Sequence, residues 1–195
     1  MQAQLKKVSL AVFASGSGSN AEAIINHFRQ HEWVSVKVVI TNKENAGVID
    51  RAKRLKVPFE IITKSDFNHS KAVIKALDDL GIDWIVLAGW LLLVPEYIVT
   101  RFKNRVINIH PALLPKFGGK GMYGHHVHRA VKESNEKESG VTIHFVNERF
   151  DEGAVIAQYP VSIDEADGAA EIEEKVRALE LLNYPSEIEK AVLSK

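Results

Sequence analysis

Asn108 and His110 stand two residues apart at the end of an apolar run, Val106-Ile107-Asn108-Ile109-His110, and Pro111 follows. In an extended chain, residues i and i+2 project to the same side, so this spacing brings a carboxamide and an imidazole together. The carboxamide offers an N–H to a developing oxyanion. The imidazole exchanges a proton near neutral pH, its unperturbed pKa being about 6.5. Asp151 lies further along, just before Glu152-Gly153. If the chain returns it to the same rim, its carboxylate orients the ring and raises its pKa. A donor, an acid/base and an orienting carboxylate suit attack by a substrate's own nucleophile on a carbonyl. The chain has no cysteine and no serine in a G-x-S-x-G turn, so direct transfer is simpler than an enzyme-bound intermediate. The same residues alone also allow a blander reading: a buried, hydrogen-bonded histidine at a strand end and an aspartate in a turn.

Ser15-Gly16-Ser17-Gly18-Ser19-Asn20 is a second candidate. It joins a β-rich run to a helical one. Glycines let backbone approach a ligand, and a helix N-terminus presents unpaired N–H groups and a positive dipole end to an anion. Ser19 or Asn20 can cap the helix and also touch phosphate. No Lys-Ser/Thr pair follows, so this is not the Walker loop, and the third glycine of a dinucleotide fingerprint is missing. A tight turn plus an N-cap without ligand remains the alternative. Gly124-His125-His126-Val127-His128 has the look of a metal site, since His125 and His128 are one helical turn apart. No carboxylate sits at a familiar ligand spacing, and the expectation is that no metal binds.

The elements that must position these groups alternate. Strands are expected at Val8–Ser15, Val34–Thr41, Phe59–Thr63, Asp83–Ala88, Arg105–Ile109, Val141–Val146 and Ala154–Val161. Helices are expected at Asn20–Arg29, Asn45–Leu55, Ser70–Leu80, Pro95–Phe102, His125–Glu133 and Ala169–Leu193, with Pro185 breaking or kinking the last. Pro111–Gly124 is a loop. This order predicts an α/β fold: three layers, an open, mostly parallel, twisted sheet with helices on both faces. Such sheets bind ligands at the carboxyl ends of their strands. The turn after Ser15, the segment after Gly89 and the segment after Val106 all fall there.

The 195 residues suit one domain, 1–195, with a proper core. The 25 basic and 25 acidic side chains cancel, which leaves no electrostatic footprint for nucleic acid. Lys6-Lys7 ahead of Val8–Ala14 gives a faint signal-peptide pattern, but the run is short and leads straight into a glycine loop. No apolar stretch is long enough for a membrane span. The expectation is a soluble, cytoplasmic protein.

Longer stretches carry a resemblance. Ile107-Asn108-Ile109-His110-Pro111-Ala112-Leu113-Leu114-Pro115 is similar to the signature of the formyltransferases that use 10-formyltetrahydrofolate. So is Gly140-Val141-Thr142-Ile143-His144-Phe145-Val146, running on to Asp151-Glu152-Gly153-Ala154-Val155-Ile156-Ala157-Gln158. The order and spacing hold over almost the whole chain. The resemblance implies a Rossmann-like formyltransferase fold, and Asn108, His110 and Asp151 as catalytic residues. It implies 10-formyltetrahydrofolate as cosubstrate, and a folate wall at Trp90, Leu91, Leu92, Leu93 and Val146. Within the family, Gly18-Ser19-Asn20 resembles the site that takes a ribose 5-phosphate, which implies glycinamide ribonucleotide as acceptor and a place in purine synthesis. Glu180, five residues before Pro185, stands where the family contacts the glycinamide; a solvent-facing helix glutamate is the alternative. Related members act on methionyl-tRNA or hydrolyse the folate, each with a further domain for which this chain has no room. The stretch Trp90-Leu91-Leu92-Leu93-Val94-Pro95 departs from the common pattern, which often has an arginine and one more residue before the proline. A non-catalytic folate- or nucleotide-binding module, or a hydrolase, is the rival reading. A monomer or homodimer is expected. The glycines of Gly118–Gly124 make that loop a candidate to close over substrate.

Overall fold

Alternation along the first strand shows how the sequence divides its apolar residues. In β1 (Val8–Phe13), Leu10 and Val12 enter one core, and Ala11 and Phe13 enter another. A strand buried on both faces belongs at the centre of a sheet. β1 accordingly pairs in parallel with β2 (Val34–Thr41) on one side and β4 (Trp84–Leu87) on the other. The computed structural model describes residues 7–69 and 72–194. Its sheet has seven strands in the order β3-β2-β1-β4-β5-β6-β7, with β3 at Phe59–Ile61, β5 at Val106–His110, β6 at Glu138–Phe145 and β7 at Val155–Ser162. The first five are parallel, and β6 and β7 run antiparallel to their neighbours.

Helices cover both faces, as the alternation predicts. Against one face pack α1 (Ser19–Phe28), α2 (Val48–Leu55), α6 (His125–Glu133) and α7 (Ala169–Leu193), through residues such as Ile24, Val48, Val127, Ile172 and Ile188. Against the other pack α3 (Lys64–His69), α4 (Ala72–Asp79) and α5 (Glu96–Arg101), through Phe67, Leu77 and Ile98. The chain turns from β1 toward β2 on one side, while β4 and β5 lie on the other. That reversal opens a crevice at the carboxyl ends of β1, β4 and β5. Among the described residues no helix is long and apolar enough to cross a membrane.

Some elements differ from the sequence reading. Helix α3 was not expected: Thr63 accepts the Asp66 N–H at 3.1 Å and donates to its carboxylate at 2.7 Å, a local cap that starts a short turn of helix. The expected Ser70–Leu80 helix is observed as α4, and Ser70 itself lies outside the described residues, as does Lys6 of the signal-like stretch. Pro185 sits inside α7 without breaking it.

Two chain returns are fixed by close backbone approach. Gly18 has φ 79°, and a Cβ there would lie 2.6 Å from the Val48 Cβ, so the loop can lie on α2 only as glycine. Gly153 is pressed on the Phe145 carbonyl, with no room for a methyl group. This contact, together with the Phe145 N–H donated to Ala154 O at 2.9 Å, brings the Asp151 turn back onto β6. Gly153→Ala is therefore expected to cost about 3 kcal/mol, the upper end for overpacking. Gly16→Ala, which meets nothing within 4 Å, is expected to stay within about 0.5 kcal/mol of the parent. Urea unfolding of the two variants checks the contrast; equal midpoints would refute it.

Candidate active site

β5 pairs with β6 so that Asn108 faces His144 and His110 faces Thr142. The four alternate residues share one side of the sheet edge. Asn108 donates its Nδ2–H to His144 Nε2 at 3.1 Å, and His144 donates its Nδ1–H to the Phe145 carbonyl at 2.8 Å. These two bonds agree on one tautomer, because a carbonyl only accepts. They leave one N–H of Asn108 for the cleft that it lines. His110 donates its Nε2–H to the Phe117 carbonyl at 2.8 Å. Its Nδ1 is therefore the nitrogen turned to Asp151, 3.5 Å from Oδ2.

Asp151 lies between the two rings. Its Oδ1 is 3.7 Å from His144 Nε2, and its Oδ2 accepts the Gly119 N–H at 2.9 Å. It holds a φ of 58°, a left-handed conformation that costs a non-glycine residue roughly 1 kcal/mol or more. Burial acts to raise its pKa. The His144 ring, the charge of His110 and the Gly119 N–H outweigh burial, so the carboxyl sits below its ordinary 3.8. His110 goes the other way from the sequence expectation. Asp151 does raise its pKa, but burial weighs more, and the net direction is below 6.5. At neutral pH the resting pair is thus a neutral imidazole with a bare Nδ1, beside a carboxylate. That is a base whose protonated form is already provided with a counter-charge.

His144 is the residue that sequence reasoning passed over. It lies within the signature stretch, where its spacing alone gives it no role. The 2-residue spacing of Thr142 and His144 mirrors that of Asn108 and His110, but only the antiparallel register puts the pairs opposite one another. Thr142 ties down the chain after His110, because its hydroxyl donates to Ala112 O at 2.7 Å and accepts the Leu114 N–H at 2.9 Å.

At the end of β1, the Ser15 N–H bonds to Gly89 O at 3.0 Å, and the Ser15 hydroxyl accepts the Leu91 N–H at 3.1 Å. The loops after β1 and β4 are thereby laced together. Arg51 donates to Ser17 O at 2.7 Å and pairs with Glu22, steadying the glycine loop from α2. Gly18 is the N-cap of α1, and no side chain caps it. Ser19 or Asn20 was the cap expected from sequence. Asn20 instead donates its Nδ2–H to Glu180 at 3.0 Å, and its Oδ1 is buried without a partner. The first-turn N–H groups of α1 are left without a side-chain cap, as an anion site requires. Glu180 is half-buried rather than facing solvent. Burial of its carboxyl pushes its pKa up to about 7, with Asn20 and Arg177 acting against that.

Ser19, Asn20, Trp90, Leu91, Leu92, Leu93, Asn108, His110, Val146, Asp151 and Glu180 all line one cleft of about 600 Å³. Gly18 lies next to it. Trp90 is largely core, packing edge-on against Phe13 and Phe67 with ring centres 5.2 and 4.9 Å away. Leu91 and Leu93 are exposed and form the apolar lip. Of the histidine cluster, His128 is buried and lines the cleft, His125 reaches Glu173 at 3.4 Å, and His126 packs on Tyr123. The described residues hold no group of three or more His, Asp or Glu side chains placed to grip a metal ion.

Residues 8–188 match the family described as Formyl transferase. The chain is 40% identical over 183 residues to phosphoribosylglycinamide formyltransferase, chloroplastic, of Arabidopsis thaliana; the match covers 88% of this chain and 61% of that protein. The chain thus spans less than two thirds of the plant relative. It is 37% identical over 183 residues to phosphoribosylglycinamide formyltransferase of Bacillus subtilis (strain 168), covering 91% of each. The crystal structure of phosphoribosylglycinamide formyltransferase from Bacillus halodurans superposes with a TM-score of 0.86 at 37% identity, over 96% of each chain.

The charge arrangement sets a titration. In the free protein, His110 is expected to titrate below 6.5. Asp151→Asn removes the charge that raises it, so the midpoint falls further. NMR of ring-labelled histidine reads both values. A midpoint that rose in Asp151→Asn would contradict the placement of that carboxylate.

Proposed function

The chain belongs to the formyl transferase family, and from that premise we propose that it moves a formyl group from 10-formyltetrahydrofolate to the amine of glycinamide ribonucleotide. The products are formylglycinamide ribonucleotide and tetrahydrofolate, in de novo purine synthesis. One observation carries the reading: a single cleft joins a helix start without a side-chain cap, an apolar wall and the Asn108-His110-Asp151 cluster. That combination matches a phosphate-bearing amine, a folate and an acyl transfer.

The acceptor's phosphate docks on the backbone of Gly18, Ser19 and Asn20 at the start of α1. Glu180 contacts the glycinamide, and its pKa of about 7 lets it carry or release a proton near the amine. Trp90, Leu91, Leu92, Leu93 and Val146 flank the pterin, with backbone groups of that segment supplying its hydrogen bonds. The amine nitrogen attacks the formyl carbon, and the carbonyl oxygen becomes an oxyanion. The free N–H of Asn108 donates to it. The bare Nδ1 of His110 takes the proton that the amine sheds, directly or through water. The ring, now an imidazolium, adds positive charge beside the oxyanion, and Asp151 balances it. Collapse breaks the bond from the formyl carbon to N10, and N10 receives the proton as tetrahydrofolate leaves. No enzyme nucleophile, metal, nucleic acid or membrane enters this scheme. It takes residues 1–195 as one catalytic domain working on two small molecules in the cytoplasm.

Oxyanion donors and their supports are typically worth roughly 3–4 kcal/mol each. His110→Ala and Asp151→Asn are therefore expected to lose on the order of a hundredfold or more in turnover while remaining folded. The assay is tetrahydrofolate formation from 10-formyltetrahydrofolate with and without glycinamide ribonucleotide. Formate release without the acceptor would reassign the chain to hydrolysis. Binding without either reaction would make it a binding module, and near-normal turnover of either variant would remove the proposed roles.

A further inference from the structure

Tyr184 is completely buried in α7, yet it carries a polar group. A buried phenol needs a hydrogen-bond partner. Its hydroxyl is placed 2.9 Å from the carbonyl of Leu87 and 3.2 Å from that of Ile107. One proton is shared between two acceptors. Burial pushes the hydroxyl's pKa far above its ordinary 10, so it stays a donor.

The two carbonyls matter because of where they lie. Leu87 is the last residue of β4, and the chain leaves it for Gly89 and the leucine wall. Ile107 immediately precedes Asn108 in β5. In the ladder, Leu87 is registered with Asn108 itself. The hydroxyl therefore binds both strands at the point where they enter the cleft. On α7, Glu180 is one helical turn before Tyr184, so the two share a helix face. Glu180 is in turn held by Asn20 of the glycine loop.

We propose that Tyr184 is a positioning residue: its hydroxyl, fixed on the carbonyls of Leu87 and Ile107, sets how α7 seats against β4 and β5, and so fixes Asn108 relative to Glu180. This inference rests on the roles of Asn108 and Glu180 given above. It assigns the tyrosine no contact with substrate. Its effect passes through the Ile107–Asn108 peptide to the oxyanion donor, and through one turn of helix to the acceptor's glutamate. A displacement of about 1 Å at a reacting group costs as much as a hundredfold in rate, so loss of one fixing bond is enough to read.

The test starts from Tyr184→Phe, Asn108→Ala, the two combined, and Ile188→Val in the full chain. Ile188 is buried on the same helix one turn further on and does not line the cleft. Tyr184→Phe is expected to lower kcat about tenfold while leaving the KM for 10-formyltetrahydrofolate unchanged. In the Asn108→Ala background the same change is expected to cost clearly less than in the parent, because one of the two groups being positioned is gone. Ile188→Val lowers the urea midpoint and leaves kcat alone. Placing p-aminophenylalanine at position 184 retains a neutral donor of similar reach, and is expected to hold kcat within about twofold of the parent; it also serves if Tyr184→Phe does not fold. An unchanged kcat in Tyr184→Phe, an equal loss in both backgrounds, or no retention with the amino analogue overturns the proposal. If Asn108→Ala itself keeps full turnover, the reading of the active site falls first, and the inference with it.

Discussion

Pairing β6 antiparallel to β5 sets Asn108 opposite His144 and His110 opposite Thr142, and the polar contacts at the reacting end follow from that register. Side chains alternate along a strand, so a slip of one residue would turn His144 and Thr142 to the other face. Asn108 would lose the acceptor that orients its amide, and the chain after His110 would lose the hydroxyl that ties it. The register is secured from several directions. Apolar Ile107, Ile109, Val141 and Ile143 fill the core on the face away from the polar pairs. Gly153, pressed on the Phe145 carbonyl, forces the chain to turn back where it does, and β7 then pairs along the length of β6.

That turn delivers a carboxylate to two buried imidazoles, and burial would be costly for it alone. Asp151 accepts a backbone N–H from Gly119, and with its carboxyl held below the ordinary range it stays ionised. The compensation is local and leaves little over for His110, whose burial keeps it neutral at rest. In the proposed mechanism His110 is neutral at rest and gains a proton during the reaction, so it acquires its attraction to Asp151 only then. Interactions that strengthen in the transition state are the ones that raise turnover, since attraction already present in the ground state does not.

Much of this was legible in the sequence because its signals are local. Alternating apolar runs marked the strands, and the split of Leu10 and Val12 from Ala11 and Phe13 is the two-sided burial that such runs imply. Asn108, His110 and Asp151 were recognisable by type and by the stretches around them, and they converge. His144 was not, because its importance comes from a partner 36 residues away through a register that no local pattern encodes. Asn20 was misread for a related reason. A polar residue after a glycine turn suggests a cap, but its carboxamide is claimed by Glu180, 160 residues on. Helix α3 was missed, because its cap, Thr63 with Asp66, is a signal too short to separate from a loop.

Pro185 shows where a local rule gives way to packing. A proline inside a helix removes one ladder bond and costs about 3 kcal/mol. The bond it removes would have gone to the carbonyl of Leu181, an exposed residue. Nearby, Asn183 donates its side-chain amide to Leu179 O at 2.8 Å, and the Ser186 hydroxyl donates to Asn183 O at 2.9 Å. On the other side of the balance, Ile172 and Val176, then Tyr184, Ile188 and Val192, recur at multiples of four residues along the helix and are all buried. Each such side chain contributes roughly 1.5–3 kcal/mol when buried, and a break at Pro185 would cut the row in two. The continuous row outweighs the single lost bond. Continuity also has a chemical consequence. One rigid α7 carries Glu173, Arg177 and Glu180 to the cleft and Tyr184 to the strand ends. A break at position 185 would leave Tyr184 at a frayed end, and Glu180 would no longer be registered to the strand that carries Asn108.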